Sequence, residues 1–344
     1  MMTTKSQSPV GIAVVGAGDW GKNHVRTFSQ LPGAKLVSVC DLDETRLTSV
    51  RTQYPDVHTT TRYDDVVNND LVEAVAIASF ASHHFDQARR ALEAKKHVLI
   101  EKPMTLDPQD AETLVRLAAQ RGRCLMVGHL LLYHPAVVKM KQLVDTQEIG
   151  ELFYLYSQRL NLGRVRMDEN ALWSFGPHDV AVALYLFGTE PEVVTAKGEA
   201  FLQEGIVDVV FVTLHFPQRK LAHIHLSWLD PHKTRRTTMV GSRKMVVFDD
   251  MEPTDKVRIY DKGVDVRPQA VSYEDYLHVR FGDILIPHVG SSEPLKLECQ
   301  EFLDCVRTGA TPRSDGSHGL QVIRVLAAAQ KSLDLDGVPV SVKG

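Results

Sequence analysis

The sequence predicts an α/β protein: an N-terminal doubly wound parallel sheet of the Rossmann type, then an α/β domain with an open, mainly antiparallel sheet. Three observations predict it. Strand-like and helix-like segments alternate from residue 10 to about 128. The strands of that region are short continuous apolar runs, as strands buried on both faces should be. Beyond it, longer strands follow one another through turns rather than helices, the habit of an antiparallel sheet.

Taken in order, Val10 to Val15 is an apolar run that passes directly into Gly16-Ala17-Gly18-Asp19-Trp20-Gly21, and a helical segment follows. Leu36 to Cys40 is the second strand, and Asp43 to Tyr54 reads as a helix with charged faces. Ala74 to Ala78 is the fourth strand, and Ser82 to Lys95 follows with Phe85, Ala88 and Leu92 at helical spacing. His97 to Ile100 ends in Glu101-Lys102-Pro103, Asp107 to Gln120 is a helix with Pro108 in its first turn, and Cys124 to Val127 closes a set of six strands. In the second region Leu152–Leu160, Val207–Phe216, Leu221–Trp228 and Met239–Phe248 read as strands. A helix from about His178 to Phe187 stops at Gly188, a long excursion covers 264–293, and helices over Leu297–Arg307 and His318–Leu333 close the chain. The expected domains are 1–128 and 129–344, with the last helix free to pack back on the first.

A chain of 344 residues with 44% apolar and 24% charged residues is an ordinary globular protein with room for a sizeable core. Its net charge of −4, without long basic runs, argues against nucleic acid as a partner. No apolar stretch is long enough to cross a bilayer, and Met1 to Pro9 lacks the apolar segment of a secretory signal. Cys40, Cys124, Cys299 and Cys305 form no CxxC pair. Cys40 and Cys124 read as core residues, the other two as lying on different faces of one helix, so a reduced, cytoplasmic protein is expected.

The glycine run carries the clearest chemistry. Gly16, Gly18 and Gly21 permit a tight turn, close approach of a pyrophosphate and close helix–strand packing, and the helix start offers free N–H groups to phosphates. Asp41, twenty residues beyond Gly21, stands where a carboxylate grips the ribose hydroxyls of NAD and repels the 2′-phosphate of NADP, and Leu42 supplies no compensating positive charge. Lys102, at the carboxyl end of the fifth strand, would face the nicotinamide, and Pro103 biases it toward an extended backbone. His178, read as the start of a helix, is a candidate base, because a helix N-terminus disfavours the imidazolium. A strand-end surface lysine and a helix-terminal structural histidine are the plainer readings of these two. His83 and His84 either touch the cofactor or start a helix. His223 and His225 share a strand face without a third ligand, and no metal site is expected. Arg159, Arg164 and Arg166, and the 232–236 cluster, could hold a phosphorylated substrate or be solvated loop charge.

With these residues in place, the chain resembles the Gfo/Idh/MocA family of sugar and inositol dehydrogenases: the glycine turn, then Glu101-Lys102-Pro103, then Gly128-His129, then Gly176-Pro177-His178. The resemblance implies a homo-oligomer, dimer or tetramer, with Lys102 and His178 as the catalytic pair. It implies cofactor contacts from Gly16, Gly18, Asp19, Trp20, Gly21, Asp41, Ser79, Phe80, His84, Glu101 and Lys102. Many members carry an aspartate four residues before the histidine, where this chain has Ser174, and Asp179 could partly substitute. The stretches 128–135, Asn161-Leu162-Gly163 with Glu169 to Trp173, and Pro294 to Cys299 resemble the branch that oxidises UDP-N-acetylglucosamine at C3. That branch makes a ketone that a partner aminotransferase converts, on the way to amide-linked lipid A. It implies substrate contacts from Lys102, Tyr133, Arg159, Asn161, Arg164, Trp173 and His178, the arginines toward the diphosphate of a UDP-sugar. An inositol or free-sugar dehydrogenase, and a non-catalytic dinucleotide-binding regulator, are the alternatives.

Overall fold

The computed structural model describes residues 8–163, 165–167, 169–266 and 277–343. The chain divides into two compact units, Met1–Tyr133 with Ser292–Ile323, and His134–Ser291 with Arg324–Gly344. The sequence reading places one boundary, at 128/129. The units cross the chain three times, and the segment 292–323 groups with the first.

The first unit is built on a six-stranded parallel sheet of β1 (Val10–Val15), β2 (Ala34–Cys40), β3 (His58–Thr60), β4 (Ala74–Ile77), β5 (His97–Glu101) and β6 (Leu125–Gly128), in the order β3-β2-β1-β4-β5-β6. This is the doubly wound order, whose crevice at the carboxyl ends of the strands takes ligands. β1 and β4 are buried throughout, because helices cover both faces of the sheet. Those helices are α1 (Gly21–Gln30), α2 (Glu44–Gln53), α3 (Tyr63–Val67), α4 (Ala81–Glu93) and α5 (Pro108–Arg121). Local signals set their ends. Asp43 and Asp107 cap α2 and α5 by accepting backbone N–H bonds, Pro108 opens α5, and Gly122 closes it with φ 60°. α8 (Pro294–Thr308) joins this unit, where Arg307 donates to the Gly33 carbonyl at 2.7 Å and Cys299 Sγ lies 3.8 Å from His24 Nδ1. Both Cys299 and Cys305 are buried on α8, and all four cysteines are free.

The second unit carries a nine-stranded sheet in the order β14-β13-β12-β11-β7-β10-β9-β8-β15. Its members are β7 (Leu152–Leu160), β8 (Val193–Glu199), β9 (Val209–Phe216), β10 (Lys220–Ser227), β11 (Thr234–Gly241), β12 (Met245–Asp249), β13 (Val257–Val266), β14 (Leu277–Leu285) and β15 (Val340–Ser341). β10 and β7 pair in parallel, and the other pairs described are antiparallel. Leu155, Ala222, Ile224, Val212 and Leu214 are buried on one face, whereas Tyr154, Tyr156, Phe211 and Leu221 are exposed on the other. The unit also holds α6 (Pro135–Asp145), α7 (Ala171–Phe187) and the C-terminal part of α9 (Gly316–Asp334).

Three elements differ from the sequence reading. Met239–Phe248 is not one strand but β11 and β12, because the chain turns at 242–244, where the Gly241 N–H donates to the Lys244 carbonyl. The expected excursion over 264–293 contains β14, whose Leu277, Val279 and Phe281 alternate but are exposed, so no buried face marks it; residues 267–276 lie outside the described residues. α7 begins at Ala171, seven residues before His178. Asn170 caps it by accepting from the Trp173 N–H, and the bare Gly176 lets Leu326, Leu172 and Leu226 close over the stretch that reads as a turn. Pro177 is carried inside the helix.

Candidate active site

The loop between β1 and α1 shows why each glycine stands where it does. Gly16 has φ +90°, and a Cβ there would lie 2.6 Å from the Ala78 carbonyl oxygen. A Cβ on Gly21 would lie 1.8 Å from the Gly16 carbonyl oxygen. Gly18 has open space: the nearest atom is the tip of Arg46 at 3.4 Å. Gly16 and Gly21 are therefore required by the fold, and Gly18 leaves the backbone bare for a ligand. The Ala17 N–H of this loop donates to Asp41 Oδ2 at 2.6 Å and the Asp43 N–H donates to Asp41 Oδ1 at 2.8 Å. The carboxylate that would receive the ribose is thus fixed by the loop that would receive the phosphates. These residues fit a dinucleotide, with Gly18 and the start of α1 toward the pyrophosphate and Asp41 toward the adenosine ribose.

Glu101, the last residue of β5, is committed inside the protein. It accepts from Trp20 Nε1, lies 2.7 Å from His24 Nε2 and accepts from the Lys102 N–H at 3.3 Å. Burial alone would raise its carboxyl, but His24, Trp20 and Lys102 together hold it below its ordinary value. Its work is to fasten α1 to the end of β5, which holds the Trp20 ring in place while the ring stays 40% exposed. Lys102 follows, half-buried, with a cis peptide to Pro103. Glu101 pairs in register with Gly128, so Lys102 and His129 leave adjacent strands side by side.

The other cofactor candidates divide in two. Phe80 is exposed and precedes α4, while Asp19 lies 3.8 Å from Lys22 at the loop surface. Ser79 and His84 are used by the framework. Ser79 Oγ donates to Gln87 Oε1 at 2.6 Å. His84 is buried, with Nδ1 2.8 Å from the Pro103 carbonyl and Nε2 3.1 Å from the Ser79 carbonyl. Burial lowers its pKa, and a neutral imidazole has one N–H, which suits the nearer Pro103 oxygen. His84 ties the end of β4 to the Glu101-Lys102-Pro103 turn.

In the second unit His178 is half-buried and stands in the interior of α7, so the helix-terminus argument for its neutrality does not apply. Asp179 beside it is buried and ion-paired to Arg159 of β7, and is therefore spoken for. Ser174 is buried on the same helix. Trp173 Nε1 donates to Gln330 Oε1 at 3.1 Å, and the Asn161 N–H donates to the Ser227 carbonyl at 3.1 Å. Tyr133, in the first unit, is 1% exposed, with its hydroxyl 3.0 Å from Ser314 Oγ and the Arg313 guanidinium over its ring. It packs the interior rather than presenting a face. Arg164 lies outside the described residues. Among the described residues no cluster of three or more His, Cys, Asp or Glu could hold a metal ion. A pocket of about 680 Å³ bounded by Gln142, Glu148, Arg243, Lys244, Asp261 and Arg280 contains none of the candidate residues.

The sequence alone assigns no role to three residues that shape this region. His24 orients Glu101, Arg46 reaches Asp41, and His129 is buried beside Lys102, both its ring nitrogens lacking a hydrogen-bond partner among the described residues. Burial, then His318 and Lys102, push the His129 imidazole well below its ordinary pKa. The sequence marks His129 only as part of the Gly128-His129 stretch that carries the resemblance.

Comparison with known proteins agrees with the geometry. Residues 10–129 match the model of an oxidoreductase family with an NAD-binding Rossmann fold, and residues 137–247 match the GFO/IDH/MocA C-terminal domain. An uncharacterized oxidoreductase of Bacillus subtilis is 27% identical over 96% of each chain. The UDP-N-acetylglucosamine 3-dehydrogenase of Acidithiobacillus ferrooxidans is 27% identical over 92% of this chain and 94% of its own. The crystal structure of a putative oxidoreductase from Magnetospirillum magnetotacticum is 32% identical, covers 94% of this chain and all of its own, and superposes with a TM-score of 0.81. An NAD cradle on a doubly wound sheet, a lysine at the end of its fifth strand, and matches along both parts of the chain lead to one conclusion: the protein is an NAD-dependent dehydrogenase of the Gfo/Idh/MocA oxidoreductase family.

Proposed function

We propose that the protein oxidises a secondary alcohol of a UDP-linked amino sugar to a ketone, with C3 of UDP-N-acetylglucosamine as the favoured position. The observation that carries the reading is Lys102, which leaves the strand end whose Glu101 fastens the dinucleotide loop through Trp20 and His24. The substrate class rests on the Acidithiobacillus relative and on the stretches 128–135, 161–163 and 169–173, which resemble that branch. The relative's name gives the activity; its transfer to this chain is our inference.

When bound, NAD supplies the acceptor for the hydride. The rest falls to the chain's own residues. His178 takes the hydroxyl proton, and the Lys102 ammonium donates to the same oxygen and stabilises negative charge as it develops. The reverse assignment uses the same two side chains. The ketone would pass to an aminotransferase, within the cytoplasm that the four free cysteines favour. The test is turnover. The protein is incubated with NAD and a panel of UDP-sugars and free polyols while nicotinamide reduction is followed, with an aminotransferase added to draw off ketone. Reduction with UDP-N-acetylglucosamine is expected. Turnover of a free polyol alone would point to an inositol or free-sugar dehydrogenase, and NAD binding without any turnover to a regulatory protein.

A further inference from the structure

The cradle's one carboxylate is not alone. Asp41 is 8% exposed, and its Oδ2 faces Arg46 Nη1 at 3.4 Å as well as the Ala17 N–H. Arg46 lies in the first turn of α2, where its Nε is 3.4 Å from Asp43 Oδ2, and its side chain is 45% exposed. The same Nη1 is 3.4 Å from the point where a Cβ on Gly18 would lie, so the guanidinium reaches from the ribose carboxylate to the bare glycine of the loop.

An aspartate at this position ordinarily selects NAD by repelling a 2′-phosphate. Two features of this cradle oppose that repulsion. The Asp41 charge is shared among two backbone N–H groups and a guanidinium, which lowers the field a phosphate would meet. Arg46 also keeps nearly half its surface open, with a planar set of donors that suits phosphate oxygens. Leu42, the residue next to Asp41, offers no cation; the cation arrives from one helical turn further along the chain.

We propose that Arg46 sets the margin between NAD and NADP: it neutralises Asp41 and supplies the cation for a 2′-phosphate, so that NADP binds as a second cofactor behind NAD. Asp43 accepts from the Thr45 hydroxyl and N–H, interactions that hold its carboxyl low, so it stays ionised and pins the Arg46 stem near the cradle. Charge-assisted hydrogen bonds of this kind change affinity by about tenfold to a hundredfold.

The experiment is a titration of the full chain with NAD and, separately, NADP, without substrate. It is read by calorimetry and by intrinsic tryptophan fluorescence in wild type, Arg46→Ala and Arg46→Lys. Wild type should bind both dinucleotides, NAD more tightly. Arg46→Ala should weaken NADP about tenfold or more while changing NAD by less than about threefold, and Arg46→Lys should fall between. No measurable NADP binding by wild type would overturn the proposal. So would an equal loss of both dinucleotides in Arg46→Ala, which would mark Arg46 as a structural part of the cradle. Absence of NAD binding in wild type would instead remove the cofactor site itself.

Discussion

Glu298 of α8 has no exposed surface, and among the described residues neither of its carboxyl oxygens has a hydrogen-bond partner. Burial, then the nearby Glu101 and Glu301, push its pKa well above the ordinary value, so the folded protein holds it as a neutral acid. The sign of the linkage follows. Between the unfolded pKa, about 4.3, and the raised folded value, the unfolded chain binds fewer protons than the native one, so stability falls as pH rises. Glu298→Gln removes this slope. Its Tm should match wild type near pH 4 and exceed it by a margin that grows toward pH 8. Thermal melts at the two ends check this, and a margin independent of pH would contradict it. At this scale the sequence is legible only where function follows from local chain order. Asp41 and Lys102 could be picked out because each ends a recognisable strand. His24, Arg46 and Glu298 could not, because their partners Glu101, Asp41 and Glu101 again come from other elements.

At the scale of elements, the strand–turn–helix opening reads well because its geometry is written in residue types that tolerate no substitute. A Cβ on Gly21 would lie 1.8 Å from the Gly16 carbonyl oxygen, whereas one on Gly18 meets only the movable Arg46 tip at 3.4 Å. Gly21→Ala should therefore cost roughly 3 kcal/mol or more of stability, by forcing the helix off the strand. Gly18→Ala should melt within about 1 kcal/mol of wild type yet bind NAD more weakly, by crowding the pyrophosphate. Chemical denaturation and NAD titration of the two variants separate the effects, and equal destabilisation by both would contradict the division of labour. α7 was less legible. Gly176-Pro177 has the composition of a turn, but Asn170 caps an earlier start and the missing Gly176 side chain admits Leu326 from a distant part of the chain. β14 was hidden for the opposite reason: its apolar side chains are exposed, so its alternation marks no core.

For the whole molecule, the proposed chemistry is divided along the chain. The dinucleotide cradle and Lys102 belong to the first compact unit and His178 to the second. Both sequence-derived catalytic candidates are half-buried, Lys102 following β5 directly and His178 within α7. The proposed pair asks each to act on one substrate oxygen, and such groups commonly supply a few powers of ten in rate. The most direct test is the turnover number for nicotinamide reduction with UDP-N-acetylglucosamine in wild type, Lys102→Met and His178→Ala, each checked for folding and NAD affinity. Each substitution should lower kcat by about 10²-fold or more while NAD affinity stays within a few-fold. Near-normal turnover in both folded variants would contradict the account.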